Sequence, residues 1–367
     1  MTSEQPDRSV VAWRDFCASL ADAGDLLLTE PALSNPMVMA EGVRALSRYA
    51  TLALESVLES ADPDRPRFVD LQTPIRKFMG DNPDQTYRTA TIGGECAYEI
   101  EGCMEGAIAV EVSVYGGGGF MTGGRRLVAF VDDMTLDIDA EGRFALRLSS
   151  AEDADLRLEP DASSVLIRTY FTDLGDRLLH SMPTIRRVPA AEPAPRIDDE
   201  WTEAHLGLAA LFVSGAFGWW MDLKRQQSDP ALVNTFPPMR DDGDLLTPAN
   251  VRYRSGYFRL GPDEAWVIEI APGGEADYWN VVLMSIWGET VDWRERPASV
   301  NHANAVAEAD GTVRIVVAHR DPGLPNWLDT AGNPEGSVAL RWFRSTGELP
   351  DVETRLVPVD DLTTSRD

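Results

Sequence analysis

Short apolar runs follow one another between residues 86 and 171 with no helical stretch between them, and this spacing constrains the fold more than any other feature. The runs cover residues 86–92, 97–100, 107–115, 127–130, 144–148 and 165–171, and turn-forming pairs such as Gly93-Gly94 separate them. Ile108, Val110 and Val112 alternate with smaller or polar residues, as in a strand with one buried face. Strands so close in sequence predict an antiparallel sandwich rather than a doubly wound parallel sheet.

The same pattern returns after residue 250, so the chain repeats one plan, although no residue-level repeat is evident. The first sixty residues show helical spacing, and a proline-rich stretch at 189–195 predicts a linker before a helix at about 201–227. We therefore expect a mainly β (α+β overall) chain with two antiparallel β-sandwich or jelly-roll-like domains. The predicted parts are a helical N-terminal region (1–65), a first β domain (66–188), a linker with a long helix (189–230) and a second β domain (231–362).

The charge of the chain argues against two classes of partner. The 367 residues include 33 basic and 60 acidic side chains, and the difference is a formal charge of −27. Nucleic acid and anionic lipid need a clustered cationic surface, so we predict neither a nucleic-acid nor a membrane partner. The most apolar stretch, 206–221, is shorter than the roughly 20 residues that cross a bilayer and predicts a buried helix. Three cysteines without metal spacing, together with a polar N-terminus, predict a cytoplasmic protein.

The sequence VAHRDPGLPNWLDTAG at 317–332 gathers several reactive side-chain types in one loop. We predict that His319 is a catalytic acid or base oriented by Asp321 or Asp329, because a carboxylate partner tunes an imidazole to work near neutral pH. The predicted substrate-binding residues of this loop are Asn326, Trp327 and Asp329. The alternative is structural: Asp321 caps a turn, Trp327 fills the core, and His319 satisfies local hydrogen bonds.

A second histidine precedes this loop. His302 follows Asn301 after an aromatic stretch, and we predict that His302 is also catalytic and that Asn301 helps to orient the substrate. If the strands that carry His302 and His319 are neighbours, both imidazoles reach one pocket. The predicted apolar and stacking walls of that pocket are Trp279, Trp287 and Trp293.

No metal and no cofactor are predicted. Two histidines with Asp321 would suit a metal ion, but no ligand spacing supports such a triad. The glycine run at 116–119 lacks the lysine and the following helix of a phosphate-binding loop. His180 and His205 are interpreted as structural residues.

The segment Asp81-Asn82-Pro83-Asp84 precedes a predicted strand that contains Tyr87. A proline-anchored turn explains this segment on structural grounds. The functional interpretation makes Asn82, Asp84 and Tyr87 substrate-binding residues at a cleft between the two domains.

Several longer segments resemble a bacterial family known as domain of unknown function 1214. The segments of the C-terminal half are SGYFRLGPDEAWVIEI, DYWNVVLMSIW, AHRDPGLPNWLDTAG and GSVALRWF. DNPDQTYRTATI and YEIEGCMEGAIAVEVSVYGG are similar to the segment that often precedes that domain. The resemblance covers most of residues 78–345 and implies two jelly-roll-type regions with added helices. It implies no particular reaction and no catalytic residues.

These observations lead to three hypotheses. The first is a cofactor-free enzyme of the hydrolase, lyase or isomerase type that acts on a small, largely apolar molecule by His/Asp acid–base chemistry. The second is a non-catalytic β-sandwich protein that binds carbohydrate or lipid. The third is a structural protein that forms a homo-oligomer through the apolar helix at 206–221.

Overall fold

The computed structural model of the protein describes residues 7–29, 35–117, 124–194, 196–237 and 250–363. Within these ranges the chain is mainly β, with four sheets and additional helices, which confirms the predicted fold class. The chain divides into two compact units, Met1–Phe78 with Asp84–Trp219 and Met79–Pro83 with Trp220–Asp367. The short segment Met79–Pro83 therefore belongs to the second unit, although the strands that follow it belong to the first.

Two capped helices open the described part of the chain. Helix α1 (Arg8–Leu28) begins where the Asp7 side chain accepts the N–H groups of Ser9 and Val10. Helix α2 (Pro36–Leu54) begins after Asn35, with proline at its first position, and continues into a π-helical turn at Glu55–Glu59. The caps explain why the helices start where they do.

The first unit is a sandwich of two sheets. Its strands are β1 (Val69–Asp70), β2 (Gln85–Thr91), β3 (Ala97–Cys103), β4 (Ala109–Gly116), β5 (Arg126–Asp132), β6 (Arg143–Ser149), β7 (Leu156–Arg157), β8 (Ala162–Tyr170) and β9 (Thr184–Val188). One sheet has the order β1-β2-β8-β4-β5 and the other β7-β6-β3-β9. Buried Val112 and Val165 share one core with Ile100 and Leu148. A short helix, α3 (Leu174–Leu179), follows β8.

The second unit also has two sheets. Its strands are β10 (Val251–Arg259), β11 (Glu264–Ile270), β12 (Tyr278–Ser285), β13 (Ser299–Asn301), β14 (Val313–Ala318), β15 (Trp327–Asp329), β16 (Glu335–Phe343) and β17 (Val352–Pro358). The sheets have the orders β10-β16-β12-β13 and β15-β14-β11-β17. Helix α4 (Asp199–Gln227) precedes them, and the helix α5 (Val359–Thr363) packs its Val359 against Ala265 and Val316 of the second sheet.

Apart from β1, which has no counterpart among the described strands of the second unit, the two units repeat one topology. Strands β2 to β9 correspond in chain order to β10 to β17, because β2-β8-β4-β5 matches β10-β16-β12-β13 and β7-β6-β3-β9 matches β15-β14-β11-β17. Among the described strands, each unit contains a short parallel pair, β6 with β7 and β14 with β15, so the sandwiches are not antiparallel throughout. A residue-level repeat accompanies the topology: β8 contains SVLIRTY and β16 contains SVALRWF.

Helix α4 is longer than its apolar stretch. It has 29 residues and, among the described helices, is the one long and apolar enough to cross a membrane by length and composition. Length alone therefore does not exclude a membrane span, contrary to the sequence argument. Buried residues recur every three or four positions, as in a helix that packs on one side; they include Leu206, Ala209, Val213, Phe217, Trp220 and Lys224.

Substitution of two glycines of α4 tests whether the less buried side of the helix is packed against another part of a protein. Apart from the adjacent residues and the helix's own backbone, no atom of the described residues lies within 4 Å of the position that a Cβ would occupy at Gly207 or Gly218. Gly207→Ala and Gly218→Ala are each expected to raise the free energy of unfolding by about 0.5–1 kcal/mol, because alanine favours the helix. Urea denaturation followed by circular dichroism measures the change. Gly336→Ala is the destabilising control, since its Cβ would lie 2.2 Å from the carbonyl oxygen of Met284.

A loss of stability in Gly207→Ala would contradict this expectation. It would show that the face of α4 around Gly207 is packed against another chain in solution, as the homo-oligomer hypothesis requires.

Candidate functional site

A row of polar side chains crosses the first sheet of each unit. In the first unit, Tyr87 of β2 pairs with Arg168 of β8, Arg168 with Glu111 of β4, and Glu111 with Asp132 of β5. Directly paired residues of antiparallel strands point to the same face, so these four side chains lie side by side. We call them the Arg168 row.

The Arg168 row contains a buried ion pair between Arg168 and Glu111, although Nε of Arg168 has no hydrogen-bond partner among the described residues. Nη1 of Arg168 donates to Oε1 of Glu111 at 3.1 Å, and the Tyr170 hydroxyl donates to Oε2 of the same carboxylate at 3.1 Å. Both terminal nitrogens of Arg168 lie 3.2 Å from the Tyr115 hydroxyl. Arg168 and Glu111 are buried, so each charge depends on the other for compensation.

Neighbouring cations alter the acidity of Tyr115. The guanidinium carbon of Arg125 lies 3.5 Å from the centre of the Tyr115 ring. Burial acts to raise the pKa of Tyr115, but Arg168 and Arg125 outweigh it and lower that pKa below its usual value. Burial, aided by the charge of Arg168, lowers the pKa of Arg125 to about 10.

The second unit carries the equivalent row with two carboxylates replaced by amides. Tyr253 of β10 pairs with Arg341 of β16, Arg341 with Asn280 of β12, and Asn280 with Asn301 of β13. We call these four residues the Arg341 row. Tyrosine and arginine keep their positions in both units, whereas asparagine stands where the first unit has Glu111 and Asp132.

Arg341 therefore has no carboxylate opposite it in the row. Its Nη2 donates to the carbonyl oxygen of Gly80 at 2.9 Å, and its guanidinium carbon lies 5.8 Å from the centre of the Tyr253 ring. Among the residues that the structure describes, Nη1 of Arg341 has no hydrogen-bond partner, and the residue is only 5% exposed. A buried cationic donor of this kind is costly unless it has a function.

The segment Met79–Pro83 brings further polar groups to the Arg341 row. The Asn280 side-chain amide donates to Oδ1 of Asn82 at 2.7 Å, and the Asn82 amide lies 3.3 Å from the Tyr278 hydroxyl. These residues are buried. We call Asn82, Tyr278, Asn280 and Arg341 the Arg341 cluster.

Backbone contacts hold this segment in place. Gly80 donates its N–H to the carbonyl oxygen of Gly288 at 2.7 Å, and the Asp81 carboxylate accepts the N–H of Thr290 at 2.7 Å. Met79 and Gly80 both have positive φ angles, 44° and 74°. Two left-handed residues in succession turn the chain sharply, and the turn places Asn82 beside β12.

Two residues predicted from the sequence, Asn301 and His302, lie beside this cluster. The His302 ring is edge-on to the Tyr278 ring, with 5.6 Å between their centres, and the residue is exposed. Asn301 belongs to the row, but its Oδ1 accepts the N–H groups of Ala303 and Asn304. Asp132, at the equivalent position of the first unit, accepts the N–H of Met134 in the same way. This position of the row therefore has a structural role in both units.

The predicted pair of His319 and Asp321 is not formed. His319 contacts Oγ1 of Thr330 through Nδ1 at 2.6 Å and the carbonyl oxygen of Leu260 through Nε2 at 3.5 Å. The Asp321 carboxylate is exposed and accepts the N–H of Gly323 at 2.7 Å. The prediction that Asp321 orients His319 is wrong, because the aspartate closes its own turn.

The other residues of that loop have structural contacts. Asn326 has a positive φ of 55° and donates to the carbonyl oxygens of Val306 and Arg314. Trp327 donates its indole N–H to the carbonyl oxygen of Ala318 at 3.2 Å. Asp329 is buried and forms an ion pair with Arg296 at 2.5 Å. These contacts match the structural alternative for the loop.

The predicted tryptophan walls do not face the Arg341 cluster as a group. Trp279 neighbours Asn280 on β12 and therefore points to the opposite face of the sheet. Trp287 is fully buried, and Trp293 is also buried. Their burial indicates packing in the core rather than an open stacking surface.

The remaining predicted residues, Asp84 and Tyr87, belong to the first unit, whereas Asn82 belongs to the second. Asp84 is buried, and its backbone carbonyl accepts the N–H of Phe171. Tyr87 lies in the Arg168 row and donates its hydroxyl to Gln85. Within the described ranges, no group of three or more His, Cys, Asp or Glu side chains could hold a metal ion.

The fold and the rows define a protein of two sandwich repeats, each with a buried arginine at the same sheet position. The chain belongs to the family of an uncharacterised protein from Burkholderia cenocepacia, with 32% identity, a TM-score of 0.87, and coverage of 95% of this chain and 97% of that one. A protein from Vibrio parahaemolyticus, 13% identical, shares the fold with a TM-score of 0.52 over 92% of this chain and 100% of that one. No protein-family profile and no curated protein matches the sequence.

Proposed function

We propose that the protein is a cofactor-free enzyme of the hydrolase, lyase or isomerase type, and that its small substrate presents a carbonyl or carboxylate oxygen to Arg341. The observation that carries the proposal is the buried Nη1 of Arg341, which has no partner among the described residues. In the first unit, Glu111 neutralises the equivalent buried charge of Arg168. In the second unit, Asn280 occupies the position opposite Arg341. An oxygen of a substrate would complete the second row as the carboxylate completes the first.

The chemistry of the cluster suits a reaction in which negative charge develops on oxygen. A fixed guanidinium in a buried site stabilises an oxyanion strongly, because it needs no reorganisation during the reaction. The exposed imidazole of His302, beside Tyr278, is the group proposed to carry the proton. This assignment replaces the predicted pair of His319 and Asp321.

The substrate can still be largely apolar, as the sequence predicted. Ala339, Val282 and Met284 form a buried apolar cluster. They lie on the same face of the sheet as Arg341 and Asn280, because residues two apart on a strand share a face. A polar head at Arg341 and an apolar tail along this cluster fit the chemistry of that face.

Replacing His302 tests the acid–base role. Exchange of the C3 protons of 2-oxohexanoate in D2O, followed by proton NMR, measures proton transfer next to a carbonyl group. Wild-type protein is expected to exchange these protons faster than buffer, and His302→Gln to be slower by about 100-fold or more. His205→Gln is the matched control, since His205 bonds to the Trp201 carbonyl oxygen on α4, and it should keep the wild-type rate.

Two results would overturn the proposal. Equal exchange rates for wild type and His302→Gln would show that His302 does not transfer the proton. Binding of 2-oxohexanoate that is lost in Arg341→Met but is not accompanied by exchange would identify a binding protein instead, which is the second hypothesis from the sequence.

A further inference from the structure

A separate cleft lies in the first unit. Its volume is about 290 Å³, near the lower bound for small-molecule sites. The lining residues are Asp70, Gln72, Thr73, Pro74, Thr86, Arg88, Arg177, Leu178, His180 and Met182. All of them belong to the first unit, so none is shared with the Arg341 cluster.

Arg88 is held rigidly at the cleft. Its Nε donates to Asp70 at 3.2 Å, Nη1 donates to Nδ1 of His180 at 2.7 Å and to the Ser181 carbonyl oxygen at 2.6 Å, and Nη2 donates to the His180 carbonyl oxygen at 3.0 Å. A guanidinium has five N–H groups. Four are used by these contacts, and the second N–H of Nη2 has no partner within the described part of the chain.

His180 serves as a fixed neutral acceptor. Because Arg88 can only donate, Nδ1 of His180 is unprotonated, and Nε2 carries the proton that it donates to the Cys103 carbonyl oxygen at 2.7 Å. Burial lowers the pKa of His180 below its usual value, and the charge of Arg88 adds to the effect. The structural interpretation of His180 agrees with these contacts, although it lines the cleft.

One residue that lines the cleft has a hydroxyl group without a partner in the described part of the chain. Thr86 is 7% exposed, and its Oγ1 has no hydrogen-bond partner among the described residues. Buried hydroxyls are normally bonded, so this donor points to a ligand acceptor. Arg177 is also buried and is fixed by its Nε, which donates to the Gln85 carbonyl oxygen at 2.7 Å.

The charges that line the cleft sum to one positive unit. Arg88 and Arg177 are cationic, Asp70 is the carboxylate, and His180 is neutral. A monoanion would neutralise this charge, whereas a dianion would leave an excess negative charge beside Asp70. The balance favours one carboxylate over a phosphate.

The rim of the cleft is apolar. Leu178 is 54% exposed and Met182 is 43% exposed, and both line the opening together with Pro74. Leu179 and Ile75, next to these residues in the chain, are exposed as well. Large exposed apolar side chains around a cationic floor suit a ligand with one charged end and one apolar end.

We propose that this cleft binds a small monocarboxylate with an apolar tail. The carboxylate oxygens would accept the remaining N–H of Arg88, a contact from Arg177 and the hydroxyl of Thr86, and the tail would lie against Leu178 and Met182. This site is independent of the reaction proposed at Arg341.

The probe is hexanoate. All measurements use protein that carries Arg341→Met, so that binding of hexanoate at the Arg341 cluster does not contribute to the signal. Isothermal titration of this protein with hexanoate is expected to give saturable one-site binding with a Kd of about 1 mM. Hexanol, which lacks the charge, and inorganic phosphate should each bind at least about tenfold more weakly. No saturable binding of hexanoate up to about 20 mM, or equal binding of hexanol, overturns the proposal.

Thr86→Val and Arg177→Gln identify the site. Thr86→Val removes the unpartnered hydroxyl at nearly constant volume, so the fold is kept and hexanoate binding should weaken about threefold to tenfold. Arg177→Gln should weaken it by about tenfold or more. Arg126→Gln removes an exposed arginine of the same unit and should bind as the background does. If both cleft variants bound hexanoate as tightly as the Arg341→Met background does, hexanoate would bind elsewhere and the assignment would be overturned.

Discussion

Replacing Glu111 by alanine is expected to lower the free energy of unfolding by about 3–5 kcal/mol. The Glu111 carboxylate is buried and accepts hydrogen bonds from Arg168 and Tyr170, each at 3.1 Å. Without it, the guanidinium of Arg168 remains buried with no counter-ion. Urea denaturation followed by tryptophan fluorescence measures the loss.

Two variants separate the buried ion pair from other effects. Glu111→Gln keeps an acceptor for Arg168 and should lose less stability than alanine does. Glu99→Ala breaks an exposed pair with Arg186 on the same unit and should change stability little. If Glu111→Ala were no more destabilising than Glu99→Ala, the ion pair would not be what holds the Arg168 row together.

The sequence predicts the sandwich class because strand runs carry their own signal. Alternating apolar residues and close turns act locally, so each strand can be recognised without its partners. The short parallel pairs could not be foreseen, since β7 and β15 are brief and their direction depends on distant neighbours. The internal repeat did leave a signal, which is the similarity of SVLIRTY and SVALRWF.

The candidate site depends on register, which a local pattern does not contain. Arg341 lies far from Asn280 in sequence, and the pairing of β12 with β16 brings these two residues together. Asn82 lies farther away in sequence and is placed by the contacts of Gly80 and Asp81. Register follows from the packing of whole sheets. Asn82 and His302 were identified from the sequence, but the arginine that gives their surroundings a charge was not.

The loop around His319 shows why a reactive composition can mislead. Aspartate and asparagine are common in turns because their side chains bond to the backbone two residues on. Asp321 and Asp329 both accept such N–H groups, from Gly323 and Ala331. The same residue types serve turns and acid–base sites, so side-chain orientation decides between them.

The two repeats differ in how they compensate the charge of a buried arginine. Each buries an arginine in the middle of a sheet, and a buried cation requires compensation. Glu111 compensates Arg168 within the first repeat, whereas the Arg341 row has only amides and a tyrosine. A protein that keeps a charge but removes its partner gives up stability at that position, as functional sites commonly do.

Arg341→Met is therefore expected to abolish most activity without loss of stability. The rate of proton exchange from 2-oxohexanoate should fall by about 100- to 1,000-fold, the usual effect of removing one oxyanion donor. The free energy of unfolding should stay within about 1 kcal/mol of wild type or rise, because the lost bond to Gly80 is offset by removal of an uncompensated buried charge.

Arg341→Lys is the control that separates charge from geometry, since lysine keeps the charge but not the planar fork of donors. It should recover part of the affinity for 2-oxohexanoate and little of the rate. Arg341→Met with the wild-type rate would remove Arg341 from the site. A loss of stability as large as that of Glu111→Ala would show that Arg341 is bound by the fold as tightly as Arg168 is. In that case the replacement of the carboxylate by Asn280 would reflect a structural exchange, and the charge of Arg341 would not be available to a substrate.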